Sequence, residues 1–261
     1  VLATGGAKGI TAEITKSMMI PGMKLIIVGR SEKIDLETIP DGGTNKSFDH
    51  LINSGVEIKY FSVDVRESVA FQKVIEEIYK NYGRIDAVIH GAGIIEDEHI
   101  DQKRLDSFDT VFDTKVDTAF LLYKFLKPEF LKLLVFFGSV SGRFGNQGQT
   151  DYATANEVLN RFAWFLHQKW PKTKTITINW GPWNTVGMAS PMVIRLLESQ
   201  GMRPINPEEG CNFFLREIYR GHDETSEVIA GEGPWANLEE ILIPELEFEH
   251  IFNQTQIPSI F

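Results

Sequence analysis

Short, almost continuous apolar runs recur along the chain: KLIIVG (24–29), VEIKYFSVDV (56–65), IDAVIHGAG (85–93), LLVFFGS (133–139), TITINW (175–180) and EVIAGEG (227–233). Each is strand-length, and several end in Gly, Asp or Ser, as strands do where they leave a sheet. Between them the period changes. Phe71, Val74, Ile75, Ile78 and Tyr82 fall at i, i+3, i+4, i+7 and i+11, one face of a helix. Apolar strands alternating with one-sided helices predict a parallel sheet covered on both sides, a doubly wound α/β fold. Such folds bind ligands beyond the carboxyl ends of their strands. The opening VLATGG leaves about three residues for a first strand before a glycine turn, so that strand is expected to be truncated and the chain to be a piece of something longer. Residues 31–55, rich in Asp, Gly, Asn and Ser, predict a solvated connection around a short helix. From Pro234 the rhythm is lost. The expected organisation is one domain over 1–233 and a tail over 234–261 with no assigned role.

Bulk composition narrows the partners. A net charge of −10 disfavours a nucleic-acid backbone or an anionic membrane as partner. A single cysteine, Cys211, excludes an intrachain disulfide framework and fits a reducing compartment such as the cytoplasm. The longest apolar runs are too short to span a bilayer. No metal-ligand pattern is singled out.

Chemistry enters at the strand ends. Thr4 to Thr11, TGGAKGIT, follows the first strand and opens a helix. Glycines there let the backbone approach a pyrophosphate, seated on the helix amino end, which makes Thr4, Gly5, Gly6, Lys8, Gly9 and Ile10 candidate cofactor residues. The second strand ends in Arg30 and Ser31 rather than in the carboxylate that would hold the ribose 2′-hydroxyl of NAD. An arginine fork suits a 2′-phosphate, so NADPH is expected, with Lys8 adding charge. Asp64 and Val65 end the third run where a carboxylate could meet the adenine amine. Gly91, Ala92 and Gly93 leave room for a ribose, and His90 reads as a packed strand residue.

Ser139 ends the run LLVFFGS, Tyr152 follows thirteen residues later, and Asn156 lies one helical turn beyond it. Tyr152 and Asn156 share a face with Leu159, Ala163 and Leu166, so the phenol is expected to point inward. A tyrosine that protonates a nascent alkoxide needs a cation nearby to stabilise the phenolate. Lys115 supplies one. It lies on an apolar stripe of Phe108, Val111, Phe112, Ala119 and Leu122 on the preceding helix, and it either snorkels outward or reaches the tyrosine.

Together TGGAKGIT, VGRS, HGAG, TKVDTAF, FFGSVSGRFGNQGQTDYATAN and NWGPW resemble the ketoreductase domain of modular polyketide synthases and polyunsaturated fatty acid synthases, within the short-chain dehydrogenase/reductase superfamily. The resemblance runs from Val1 to about Gly233. Most of that superfamily carries lysine four residues after the tyrosine and asparagine on the preceding helix; these ketoreductases exchange the two, which matches Lys115 and Asn156. By resemblance, Tyr152 is the proton donor and Ser139 binds the substrate carbonyl oxygen. Lys115 lowers the tyrosine pKa and holds the nicotinamide ribose, and Asn156 orders a water of the proton relay. The implied substrate is a β-ketoacyl chain on an acyl carrier protein, reduced to the β-hydroxy form beside neighbouring synthase domains. Gly181 and Pro182 would shape the nicotinamide pocket, while Trp183, Met188 and Met192 would lie toward the acyl chain under a lid. Thr11 stands where many relatives have a third glycine. Phe144 replaces the tryptophan that marks enzymes giving the L alcohol, and Ile95-Glu96-Asp97 stands for the Leu-Asp-Asp string of the opposite class, which favours the D product. The family also places a companion subdomain before the catalytic half that helps complete its sheet; here the missing edge is expected to be borrowed from chain outside this sequence or to leave a strand edge that must be covered. A free-standing reductase of a small ketone and a non-catalytic scaffold module are the alternative readings.

Overall fold

The computed structural model describes residues 1–31, 56–188, 191–199, 201–220 and 225–233. The expected connection beyond Ser31 and the tail from Pro234 lie outside the described residues.

Seven parallel strands form one sheet in the order β3-β2-β1-β4-β5-β6-β7. They are β1 (Leu2–Thr4), β2 (Lys24–Gly29), β3 (Glu57–Ser62), β4 (Ala87–His90), β5 (Leu133–Ser139), β6 (Lys174–Trp180) and β7 (Glu227–Ala230). The helices are α1 (Gly9–Ser17), α2 (Ser68–Tyr82), α3 (Leu105–Phe125), α4 (Val140–Phe144), α5 (Thr150–Lys169), α6 (Pro191–Ser199) and α7 (Pro207–Tyr219). The doubly wound fold expected from the hydrophobic pattern is the one observed.

Alternation along the strands divides the core in two. Leu2, Ile26, Val28, Val88, Leu134 and Phe136 point to one face, where Phe71, Val74, Ile75 and Ile78 of α2 and Leu159, Ala163 and Leu166 of α5 cover them. Ala3, Leu25, Ile27, Ile89, Val135 and Phe137 point to the other, against Ile14 of α1 and Phe214 of α7. Both faces being buried is why each strand reads as a continuous apolar run.

Strand order reverses between β1 and β4, so the loops leaving these strands diverge and open a crevice at the carboxyl edge. β1 pairs over only three residues, Leu2 to Thr4, with β2 on one side and β4 on the other. At the opposite edge of the sheet lies a cleft of about 520 Å³ bordered by Val1, Met23, Ile26, Tyr82 and Ile85. The chemistry-bearing residues are not there. They collect at the carboxyl edge.

Candidate active site

The turn after β1 is shaped by contact with the exit of β4. Gly5 has φ +70°, and a Cβ on it would sit 2.8 Å from the Ala92 backbone. A side chain there would push the two strand ends apart. Lys8 is the N-cap of α1 and makes no side-chain capping bond, so no cap side chain satisfies the N–H groups opening that helix. Unclaimed N–H groups at a helix amino end fit a pyrophosphate. Thr11 explains how the third glycine is dispensed with. A Cβ on Gly91 would lie 2.1 Å from Thr11 Oγ1. The Thr11 side chain fills the space that a side chain at position 91 would need.

Arg30 and Ser31 leave β2 exposed, with the Tyr60 hydroxyl donating to the Ser31 carbonyl at 2.9 Å. Val65 is buried. Asp64 is clasped by Arg66, whose Nη2 lies 2.8 Å from Oδ2 and whose backbone N–H donates to Oδ1 at 3.0 Å. Hydrogen bonds from that guanidinium hold the Asp64 carboxyl below the usual carboxylate range. Arg66 was not anticipated; an arginine two positions after the strand-ending aspartate was the available signal.

Three elements bring the candidate reacting residues together. Ser139 closes β5 and caps α4, its Oγ accepting from Ser141 N–H at 3.1 Å. Tyr152 and Asn156 face inward from α5, and Lys115 is 3% exposed on α3. The snorkelling alternative for Lys115 is thus not realised. Burial pushes the Tyr152 phenol up to about 12, against hydrogen bonds with the Ser139 and Asn156 side chains that favour the phenolate; the Asp97 charge pushes it further up. Burial also lowers Lys115, to about 7. Its Nζ donates to the Phe137 carbonyl at 2.7 Å and sits 5.5 Å from the centre of the Tyr152 ring. The cation therefore lies over the face of the aromatic ring and is tethered to the β5 backbone. Gly93 makes room for it, since a Cβ there would be 2.9 Å from Lys115 Cε. Asn156 donates to the Tyr152 backbone carbonyl at 2.7 Å, while its buried Oδ1 has no partner among the described residues.

His90 is fully buried and bridges the two halves of the site. One ring nitrogen lies 2.7 Å from Thr4 Oγ1 and the other 2.9 Å from the Lys115 carbonyl. Burial lowers it to about 3, so the ring stays neutral and structural, as the strand pattern suggested.

Gly181 is buried where β6 ends and donates to the Ala230 carbonyl at 2.7 Å; the Pro182 carbonyl accepts from Ile205 N–H at 2.7 Å. Trp183 requires a correction. Expected beside an acyl chain, it is 2% exposed and packs against Trp180 with ring centres 5.1 Å apart. Pairing of the segment after Pro182 with Ile205 turns the indole into the core, so tightly that a Cβ on Gly210 would lie 2.4 Å from it. Asp97, Phe144, Met188 and Met192 are exposed, and Met192 precedes an outward-facing Leu196 on α6.

A family model described as the KR domain matches residues 1–185. The chain belongs to the KR (ketoreductase) domain family. This KR domain is 30% identical over 235 residues to polyketide synthase PksM of Bacillus subtilis (strain 168), a match covering 88% of this chain and 5% of the relative. It is 32% identical over 176 residues to one polypeptide of the polyunsaturated fatty acid synthase of a Thraustochytrium species, over 67% of this chain and 6% of that protein. A solved ketoreductase domain from the bacillaene assembly line superposes with a TM-score of 0.78 at 29% identity, covering 93% of this chain and 58% of the other. The KR domain thus spans only 5–6% of the length of these two synthases.

Proposed function

We propose that the protein reduces the ketone of a β-ketoacyl thioester, presented by an acyl carrier protein, to the β-hydroxyacyl form. In this reading residues 1–233 are the NADPH-dependent reductase domain of a cytoplasmic polyketide or fatty acid synthase, working beside neighbouring synthase domains. The observation that carries it is the buried convergence of Ser139, Tyr152 and Lys115 from β5, α5 and α3. Family membership and the resemblance to synthase ketoreductases support the substrate class.

Bound NADPH would supply the hydride. Thr4, Gly5, Gly6, Gly9 and Ile10 would seat its pyrophosphate at the start of α1. Asp64 and Val65 would border the adenine, Gly91 to Gly93 the ribose, and Gly181 and Pro182 the nicotinamide. Tyr152 gives its proton to the nascent alkoxide. A buried phenol with a pKa near 12 stays protonated until needed but is a weak acid, so the phenolate it leaves must be stabilised. Ser139 does this directly and orients the ketone oxygen. Lys115, when charged, adds positive charge from the ring face and would hold the nicotinamide ribose. The unpartnered Asn156 Oδ1 can hold a water through which Tyr152 is reprotonated.

Arg30 is exposed where β2 ends, so its guanidinium is available to a 2′-phosphate, to which Ser31 and Lys8 would add. Arg30→Ser is expected to weaken NADPH binding by roughly tenfold or more and to leave NADH binding unchanged, because a charge-assisted bond is worth about 1.5–3 kcal/mol. Fluorescence titration with both cofactors checks this, and an equal loss for the two would remove Arg30 from the phosphate site.

Reduction of a short β-ketoacyl thioester followed by chiral separation tests the substrate side. The D-configured 3-hydroxyacyl product is expected from Phe144 and Asp97. A predominantly L product would contradict it, and turnover of simple ketones but not of the thioester would favour a free-standing reductase.

A further inference from the structure

Residues 94–104, between β4 and α3, belong to no helix or strand, and most are exposed. The segment carries Asp97, whose charge reaches the Tyr152 phenol. Tertiary bonds therefore fix where that charge stands. Three of them run to one place, the amino end of α5. Glu98 N–H donates to the Gly148 carbonyl at 3.0 Å. The Gln149 amide donates to Asp97 Oδ2 at 3.1 Å and accepts from Ser141 Oγ at 2.8 Å. Lys103 Nζ meets Asp151 Oδ2 at 2.9 Å with side chains only 5% and 0% exposed, and also donates to the Glu96 carbonyl.

The last is unlike the other ion pairs among the described residues, which are surface contacts, as between Lys24 and Glu57 or Arg104 and Asp106. The remaining described pairs have side chains 24% or more exposed. Such pairs are screened and contribute little. A buried pair contributes little net stability against apolar replacements either, but breaking it on one side is severe, and its best-attested use is to fix a register. Here the other Asp151 oxygen accepts the Tyr152 N–H at 2.8 Å. A continuous path thus runs from the Glu96 carbonyl through Lys103 and Asp151 to the backbone of Tyr152.

We propose that Lys103 is a positioning residue of the reductase site: its ion pair with Asp151 clamps the Asp97 segment onto the amino end of the Tyr152 helix and sets the width of the substrate entrance between them. The proposal rests on the function given above only for what enters. Neither Lys103 nor Asp151 touches the reacting atoms. Their role is to hold the two walls, Asp97 with Glu98 on one side and Gln149 to Tyr152 on the other, at one separation.

Two variants separate clamping from folding. Lys103→Met leaves the Asp151 carboxylate buried and unpaired, and a lower melting temperature is expected. Lys103→Met with Asp151→Asn removes both charges, so the melting temperature should recover toward wild type while the tie stays cut. In that double variant KM for the β-ketoacyl thioester should rise by about tenfold, the dissociation constant for NADPH should stay at its wild-type value, and amide hydrogen exchange across 96–103 should quicken by about tenfold or more, in line with one buried tie lost. A double variant with wild-type KM and wild-type exchange overturns the proposal. Should Lys103→Met not fold, the double variant decides alone. If the wild-type protein reduces no thioester, it is the function that fails, and the exchange rates still decide the clamp.

Discussion

Tyr152→Phe is expected to lower turnover of a β-ketoacyl thioester by about 10²–10⁴-fold, the range that a positioned general acid contributes. The substitution deletes one oxygen and little else. The ring stays in its buried slot on α5, 5.5 Å beneath the Lys115 ammonium, so the packing of α3 against α5 should survive. NADPH affinity and melting temperature should therefore hold while the chemistry stops. Single-turnover NADPH oxidation, with binding followed separately by fluorescence, makes the distinction. Undiminished turnover would remove the phenol from the mechanism.

Lys115→Met should abolish reduction comparably and also alter how stability depends on pH. Burial lowers the Lys115 pKa from 10.5 to about 7 in the folded protein. Between those values the unfolded chain binds a proton that the native state has released, so unfolding free energy rises as pH is raised through the window. Below about pH 7 the native state must keep a buried ammonium charged, and the full penalty applies. Denaturant titrations of the wild type at pH 6 and pH 9 should therefore show a gain of a few kcal/mol at the higher pH, less whatever other groups contribute. The Met variant should lose most of that slope. Contributions of the other groups are common to both proteins, so their difference isolates Lys115. Equal slopes would mean that the ammonium keeps its charge in the fold. Tyr152, raised from 10.0 to about 12, acts oppositely, with stability falling only as pH climbs through that higher range.

The fold was largely legible in the sequence because the strands are buried on both faces and announce themselves by composition alone. Strand ends were less so: the run 56–65 yields a strand only over Glu57–Ser62, leaving Asp64 and Val65 beyond it in the loop at the carboxyl edge. The placement of the candidate reacting residues was legible by spacing, since Tyr152 and Asn156 share a helix face and Ser139 terminates a strand. Interactions between distant segments were not. Nothing local to Lys103 indicates that it meets Asp151, 48 positions away. The same holds for Trp183, whose destination depends on pairing with Ile205 across the segment containing α6. The ammonium of Lys115 could be placed on a buried stripe, but its bond to the Phe137 carbonyl depends on how α3 lies across β5.

The opposed pair Thr11 and Gly91 carries an implication for anyone editing this domain toward its relatives. Restoring glycine at position 11 alone opens a void where the threonine side chain now sits, whereas adding a methyl at position 91 alone drives it into Thr11 Oγ1. Acceptable genotypes at one position are therefore conditional on the other. A consensus built column by column would break the contact that coordinated replacement could preserve.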